Sequence, residues 1–220
     1  MGNRIFYEKY WTQTGGSPAE GEFALDERKS LLRNAIASLP KGSAIVDIGC
    51  GSGAFVKYLN ELGLQTVGID ISFEALRKAR CIVGNCPLVV ASLEAALPFE
   101  DNSFAAIYCS EVLEHIFSVH RALSELNRIL ISDGLLILTV PCHGVLKNMA
   151  IALFGFEHHY DPDLSHIRFF TRKSLTASLT KGGFKIISWK GVGRRFPFWM
   201  SLFMIAKKVS PAGPEPEIKG

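Results

Sequence analysis

The stretch Val46-Asp47-Ile48-Gly49-Cys50-Gly51-Ser52-Gly53-Ala54-Phe55 sets three glycines at alternate positions between a β-branched apolar run and a segment with helical spacing. Glycines at a strand-to-helix turn let the backbone turn tightly and let a ligand approach where a Cβ would clash. Open parallel sheets bind ligands at the carboxyl ends of their strands, and this loop lies at such an end. Two carboxylates flank it. Asp47 closes the strand before the loop, and Asp70, twenty-one residues after Gly49, closes the next one. Gly49-x-Gly51-x-x-Ala54 also fits a relaxed dinucleotide fingerprint, but Asp47 would repel a pyrophosphate and welcome an ammonium group. Asp70 suits a ribose diol, where a charge-assisted hydrogen bond contributes roughly 1.5–3 kcal/mol. A nucleoside joined to a cationic amino acid, without phosphates, is S-adenosylmethionine. That ligand is expected ahead of NAD. For Asp47 an alternative role stays open, holding the amides of the loop.

Further along the chain, Glu111, Glu114 and His115 stand at i, i+3 and i+4, one face of a helix. Two carboxylates and an imidazole of that kind can hold a divalent cation that acidifies a hydroxyl. Six histidines are candidate proton acceptors: His115, His120, His143, His158, His159 and His166. His143 directly follows an apolar strand, His158 and His159 fall in a segment without sheet character, and His166 precedes Arg168-Phe169-Phe170. His143, His159 and His166 are taken as the catalytic candidates. A general base is needed only for an acceptor that holds its proton at neutral pH, such as a phenol or alcohol.

The elements that position these residues alternate. Ala44–Ile48, Gln65–Asp70, Pro87–Val90, Phe104–Cys109 and Gly134–Val140 read as strands. Helical spacing covers 24–39, 54–62, the stretch capped by Ser72, 119–130 (Val119, Leu123, Leu126, Leu130, with Ser118 as cap) and 171–181. Continuous apolar strands alternating with helices imply an α/β protein with a parallel sheet covered on both faces. Two last strands, 184–189 and 198–206, have no helix between them and are expected as an antiparallel hairpin. Phe6, Tyr7, Tyr10 and Trp11 form an aromatic cluster near the start, a candidate lid. The expected organisation is a helical lid or cap at 1–40, a main domain at 41–208 with 143–165 inserted as an acceptor cap, and a flexible tail at 209–220.

The chain has 220 residues, 48% of them hydrophobic and 20% charged, which suits one globular domain and excludes disorder as the dominant state. No uncharged apolar run reaches the roughly 18 residues of a membrane span. Five cysteines without a C-x-x-C pair read as the reduced thiols of a cytoplasmic protein. Charge is uneven. Residues 1–165 carry 13 Lys/Arg against 19 Asp/Glu, a net −6, and residues 166–220 carry 11 against 2, a net +9. With Phe196-Pro197-Phe198-Trp199-Met200, this basic segment is the candidate for peripheral contact with a membrane; strand pairing is the rival explanation of its apolar residues.

Val46–Gly53 resembles motif I of class I S-adenosylmethionine-dependent methyltransferases, and Gly68-Ile69-Asp70-Ile71-Ser72 their acidic second motif. Leu97–Phe104 followed by Ser110-Glu111-Val112-Leu113-Glu114-His115-Ile116 resembles the branch that contains ubiquinone- and menaquinone-pathway enzymes. Leu130–Ile137 and the stretch from His166-x-Arg168-Phe169-Phe170-Thr171 to Gly183-Phe184 are similar to later signatures of that branch. The resemblance runs from about 43 to 190. It implies a three-layer Rossmann-like fold whose seven-stranded sheet has the order 3-2-1-4-5-7-6, strand 7 antiparallel. It also implies donor contacts at Asp47, Gly49, Gly51, Gly53, Asp70, Ile71, Ser92, Leu93, Ser110 and His115, with S-adenosyl-L-homocysteine as product. Ser92 stands where the family usually has an Asp that reads the adenine amino group, and Ala105 where an Asp is common before strand four.

The expected activity is methyl transfer to the oxygen, nitrogen or carbon of a small organic acceptor. No residue is assigned to a metal and no nucleic-acid partner is expected. The alternatives are a metal-assisted RNA terminal 2′-O-methyltransferase and a non-catalytic cofactor-binding or scaffold protein.

Overall fold

The structure is a computed structural model that describes residues 2–14, 24–154 and 167–209. In chain order the elements are α1 (Gly2–Thr14), α2 (Leu25–Ala35), β1 (Ala44–Ile48), α3 (Ala54–Glu61), β2 (Gln65–Asp70), α4 (Phe73–Val83), β3 (Leu88–Val90) and β4 (Phe104–Ser110). A 3-10 turn at Leu113–His115 follows, then α5 (Val119–Ile129), β5 (Leu130–Pro141), α6 (Val145–Phe154), α7 (Arg172–Lys181), β6 (Phe184–Val192) and β7 (Ser201–Lys208). The seven strands form one sheet in the order β3-β2-β1-β4-β5-β7-β6. β1 runs parallel to β2 and β4, β2 to β3 and β4 to β5, whereas β7 is antiparallel to both β5 and β6. This is the fold, strand order and tail hairpin the sequence implies.

Strand side chains alternate between faces, and the burial follows suit. Val46, Ile48, Ile107 and Cys109 join α5 and α7 in the larger core, with Leu123, Leu126, Leu175 and Leu179. Ile45, Ala106 and Tyr108 turn the other way and pack with Leu32 of α2, Ile36 just after it, and Phe55 and Leu59 of α3. The three layers are thus helix, sheet and helix. Each fully buried leucine of α5 contributes roughly 1.5–3 kcal/mol by leaving water.

The caps fix the element starts. Ser72 accepts from the Ala75 amide at 3.2 Å and Ser118 from the Arg121 amide at 3.4 Å. At α7, Thr171 Oγ1 accepts from the Ser174 amide at 3.1 Å while Ser174 Oγ accepts from the Thr171 amide at 3.0 Å, a capping box. β7 begins at Ser201, three residues later than its apolar pattern suggests, because 193–200 form the loop from β6. β5 begins at Leu130, four residues early, its pairing with β4 shifting register between Phe104 and Ala106. The described part of the expected 143–165 insertion includes α6. His158, His159 and His166, the lid's 15–23, and most of the tail lie outside the described residues.

Candidate functional site

The site is assembled at the carboxyl edge of β1, β2, β4 and β5. After β1 the chain turns through Gly49 (φ 72°), Gly51 (φ 50°) and Gly53 (φ 84°), a left-handed region that side chains rarely enter. At Gly49 space forbids a side chain as well, since a Cβ there would lie 2.4 Å from Val112 Cγ2. The amides of Gly49 and Cys50 both donate to the Ile69 carbonyl at 2.8 Å, which stitches the loop to the end of β2.

Asp70 is nearly buried, and its carboxylate organises the crevice. Oδ2 accepts from the Gly51 amide and Oδ1 from the Ser72 amide, each at 2.9 Å. The work of holding loop amides therefore falls to Asp70, the alternative the sequence left open for Asp47. Each carboxylate oxygen keeps a further lone pair for a ligand hydroxyl. Burial raises the Asp70 pKa above its ordinary value, the amides of Ser72 and Gly51 opposing it.

Asp47 is buried below the loop, and its Oδ2 accepts no hydrogen bond from a described residue. Burial first, then the charge of Asp70, push its carboxyl up to about 8, while Arg28 pulls the other way. Such an oxygen calls for a cationic donor. Arg28 reaches this region from α2, where its position in the Leu25-Arg28-Leu32 stripe buries it almost completely. Its guanidinium donates to Ser110 Oγ and lies 5.4 Å from the centre of the Phe55 ring. Ser110 in turn shares a hydrogen bond of 2.6 Å with Thr139 Oγ1 of β5. The sequence reading did not single out Arg28; the signal was a cation set within the apolar stripe of an amphipathic helix.

Helix α1 lies against the glycine loop through Trp11. Trp11 packs on Gly51, whose Cβ would lie 3.1 Å from the indole. Tyr7 meets the His115 ring edge-on at 5.7 Å. Lys78 of α4 donates to the Trp11 carbonyl at 2.5 Å and sits 5.6 Å from the centre of its ring. Glu8 caps α4, accepting from Ser72 Oγ at 2.9 Å, the Phe73 amide at 2.8 Å and the Glu74 amide at 3.1 Å.

The Glu-x-x-Glu-His group departs from its expected helical face. Glu111 takes a left-handed φ of 54°, and Leu113–His115 is a 3-10 turn. Val112 fills the space over Gly49, turning Glu114 into the protein, fully buried, with its pKa raised well above the ordinary value by burial and by the charge of Glu111. His115 Nε2 is 3.9 Å from Glu114 Oε1. Among the described residues no three acid, imidazole or thiol groups converge on a point that would hold a metal ion.

The remaining expected residues are spread along the same edge. Ile71 is half-buried between Asp70 and Ser72. Ser92 Oγ accepts from the Glu94 amide at 3.2 Å, and Leu93 is buried in the larger core. His143 follows β5, buried, with Nδ1 3.4 Å from Asn148 Oδ1 and the Phe169 ring edge-on at 4.8 Å. Lys147 of α6 donates to the Cys142 carbonyl at 2.9 Å, and burial lowers its pKa.

Residues 46–138 match the family described as "Methyltransferase domain". Among known proteins, the chain is 36% identical over 113 residues to the malonyl-[acyl-carrier protein] O-methyltransferase of Legionella pneumophila, covering 49% of this chain and 39% of that one. It is 29% identical over 179 residues to the human mitochondrial arginine-hydroxylase NDUFAF5, covering 73% of this chain and 50% of that protein. The chain spans about half or less of the length of the curated relatives it matches. A chain of the Haloferax volcanii complex between the Trm112 methyltransferase activator and a methyltransferase superposes with a TM-score of 0.75 at 17% identity, covering 96% of this chain and 99% of that one. With that strand order and that glycine loop, residues 46–138 are similar to the methyltransferase-domain family, and the fold is the one shared by solved methyltransferase structures.

Proposed function

We propose that the protein transfers a methyl group from S-adenosylmethionine to the oxygen, nitrogen or carbon of a small organic acceptor. One observation carries this reading: a glycine cradle whose flanking carboxylates differ in state, Asp70 satisfied by backbone amides and Asp47 buried with an oxygen that no described donor meets. The residues present fit the donor. Asp70 would hold the ribose hydroxyls, Asp47 the ammonium and Arg28 the carboxylate, with Gly49, Gly51 and Gly53 providing the close approach. Ile71, Ser92 and Leu93 would border the base, and Ser110 and His115 the methyl-bearing end. When bound, the donor supplies a methyl group already activated on a positively charged sulfur.

The protein's own share is alignment and exclusion of water. Trp11 and Tyr7 cover the crevice, and the cores on both sheet faces keep β1 and β4 rigid beneath it. His143 is the described histidine best placed to take a proton from an acceptor, at the end of β5 beside Phe169. His159 and His166 remain candidates outside the described residues.

Calorimetry tests the reading. Micromolar binding of S-adenosylhomocysteine with none of NAD is expected, followed by transfer of labelled methyl into a fraction of a metabolite extract. Binding of NAD in its place overturns the donor assignment. Cofactor binding with no transfer to any fraction favours a scaffold, or chemistry of another kind, as the hydroxylase name of one relative illustrates.

A further inference from the structure

Helix α6 exposes apolar side chains along one arc. Val145, Leu146, Met149 and Leu153 fall on one arc of roughly 100°, and all four are exposed, Val145 at 76% and Leu153 at 71%. The opposite side is the one held by the domain: Lys147 donates to the Cys142 and Met200 carbonyls at 2.9 and 3.5 Å, and Asn148 meets His143. A helix seated on its own core presents its polar side outward; α6, apolar nearly all round, rests on Lys147, Asn148 and half-buried Ile151 and still turns an apolar arc to solvent.

The exposed apolar surface continues on neighbouring segments. Phe169, half exposed, packs on His143 just before α6. Met200, which Lys147 touches, adjoins Trp199, against which Phe196 packs with ring centres 5.2 Å apart while remaining 74% exposed. Scattered apolar side chains are ordinary on a surface, but a contiguous set marks an interaction site. Its charge is mainly basic, with Glu27 accepting from the Gly193 amide at 3.1 Å as the neighbouring acid. α6 contains no acidic residue, and none occurs between Ile167 and Val209, a stretch with ten Lys and Arg. Arg194 and Arg195 are exposed beside Phe196.

We propose that this face docks the protein on an anionic lipid surface, with the apolar arc of α6, Phe169 and Phe196 entering the interface and Arg194 and Arg195 meeting lipid headgroups. An apolar arc beside a concentration of cations is the pattern of interfacial binding, and each basic residue near a negative leaflet adds to the attraction. Among the described residues no helix is long and apolar enough to cross a membrane, so the contact is with the surface. The face adjoins His143, which puts the acceptor end of the site next to the bilayer. Docking itself does not depend on the transferase reading.

The test is flotation of the full chain with vesicles of phosphatidylcholine alone and of phosphatidylcholine with about one-third phosphatidylglycerol. Binding to the anionic vesicles at least about tenfold tighter than to the neutral ones, and weakened by salt, is expected. Arg194→Glu with Arg195→Glu should cost at least about tenfold in that binding. Leu146→Asp with Leu153→Asp should abolish it, while both variants keep the parent's thermal midpoint and its affinity for S-adenosylhomocysteine. Failure of the parent to float with anionic vesicles, or equal binding to both vesicle types, overturns the proposal. So does a parent dimer in light scattering that the Leu146→Asp, Leu153→Asp variant dissolves, since the face would then belong to a second copy.

Discussion

The Glu8 carboxylate of α1 receives the Ser72 hydroxyl at 2.9 Å, so that one acidic side chain closes the start of α4 from another element altogether. The Phe73 and Glu74 amides join it, and an acid at this end also complements the helix dipole. Burial works to raise the Glu8 pKa, but these hydrogen bonds and nearby Arg4 outweigh it and hold the group below the ordinary carboxylate range. With the folded value depressed, this contribution is complete above the unfolded value near 4.5 and fades as pH falls through the folded one. Glu8→Gln should lower stability by about 1 kcal/mol at pH 7, the scale of a lost helix cap. The gap between variant and parent should shrink toward pH 3 in urea titrations; a gap constant across that range would show that the charge is not what matters.

Asp47 has the opposite sign. Its folded pKa, near 8, lies above the unfolded value, so the stability it contributes is present below about pH 4 and is lost as pH rises toward 8. Without ligand, the parent should unfold at lower urea at pH 8 than at pH 5, and Asp47→Asn should remove much of that slope. A ligand ammonium needs the ionised form. Affinity for S-adenosylhomocysteine should therefore rise about tenfold per pH unit on approach to pH 8, with uptake of ligand releasing a proton. Calorimetry in buffers of different ionisation enthalpy measures that proton.

At Asp70 two duties separate by substitution. Asp70→Asn keeps an oxygen for one backbone amide but loses the charge offered to the ribose. It should weaken S-adenosylhomocysteine at least about tenfold, the loss of one charge-assisted hydrogen bond. Asp70→Ala should in addition lower the melting temperature, because the Gly51 and Ser72 amides both lose their acceptor. Equal melting temperatures for the two variants would count against the scaffold role.

Gly49 meets a double constraint, its φ of 72° and the 2.4 Å approach to Val112. Gly49→Ala should cost about 1–3 kcal/mol from crowding, with a further contribution from backbone strain. Val112→Ala in the same chain should restore the crowding part only. Full recovery in the double variant would show that the left-handed backbone imposes no penalty on alanine there.

The sheet was legible because its signals are local. β1 and β2 have the bounds their β-branched runs and flanking glycines indicate, and Ser72, Ser118 and Thr171 cap the helices that begin after them. The glycine loop, Asp47 and Asp70 were legible for the same reason. What escaped depends on contacts between distant segments. Glu8 is an ordinary surface-type residue until α4 is placed beside it. Arg28 gains its meaning from Ser110, 82 residues away. The Glu111-Glu114-His115 spacing reads as one helical face, but the chain there has a left-handed Glu111 and a 3-10 turn, with Val112 seated on Gly49. α6, with its apolar sequence, lacks the polar stripe by which a helix is told from an irregular insertion.

The seat of Trp11 on Gly51 and of Glu8 on α4 bears on the order of events in turnover. A donor lying in the cradle would be roofed by α1, whereas His143 packs against the half-exposed Phe169. Donor would then load first and its spent form leave last. S-adenosylhomocysteine should compete with S-adenosylmethionine in steady-state kinetics yet act noncompetitively against the acceptor, and shortening the chain through Thr14 should turn that compulsory sequence into a random one.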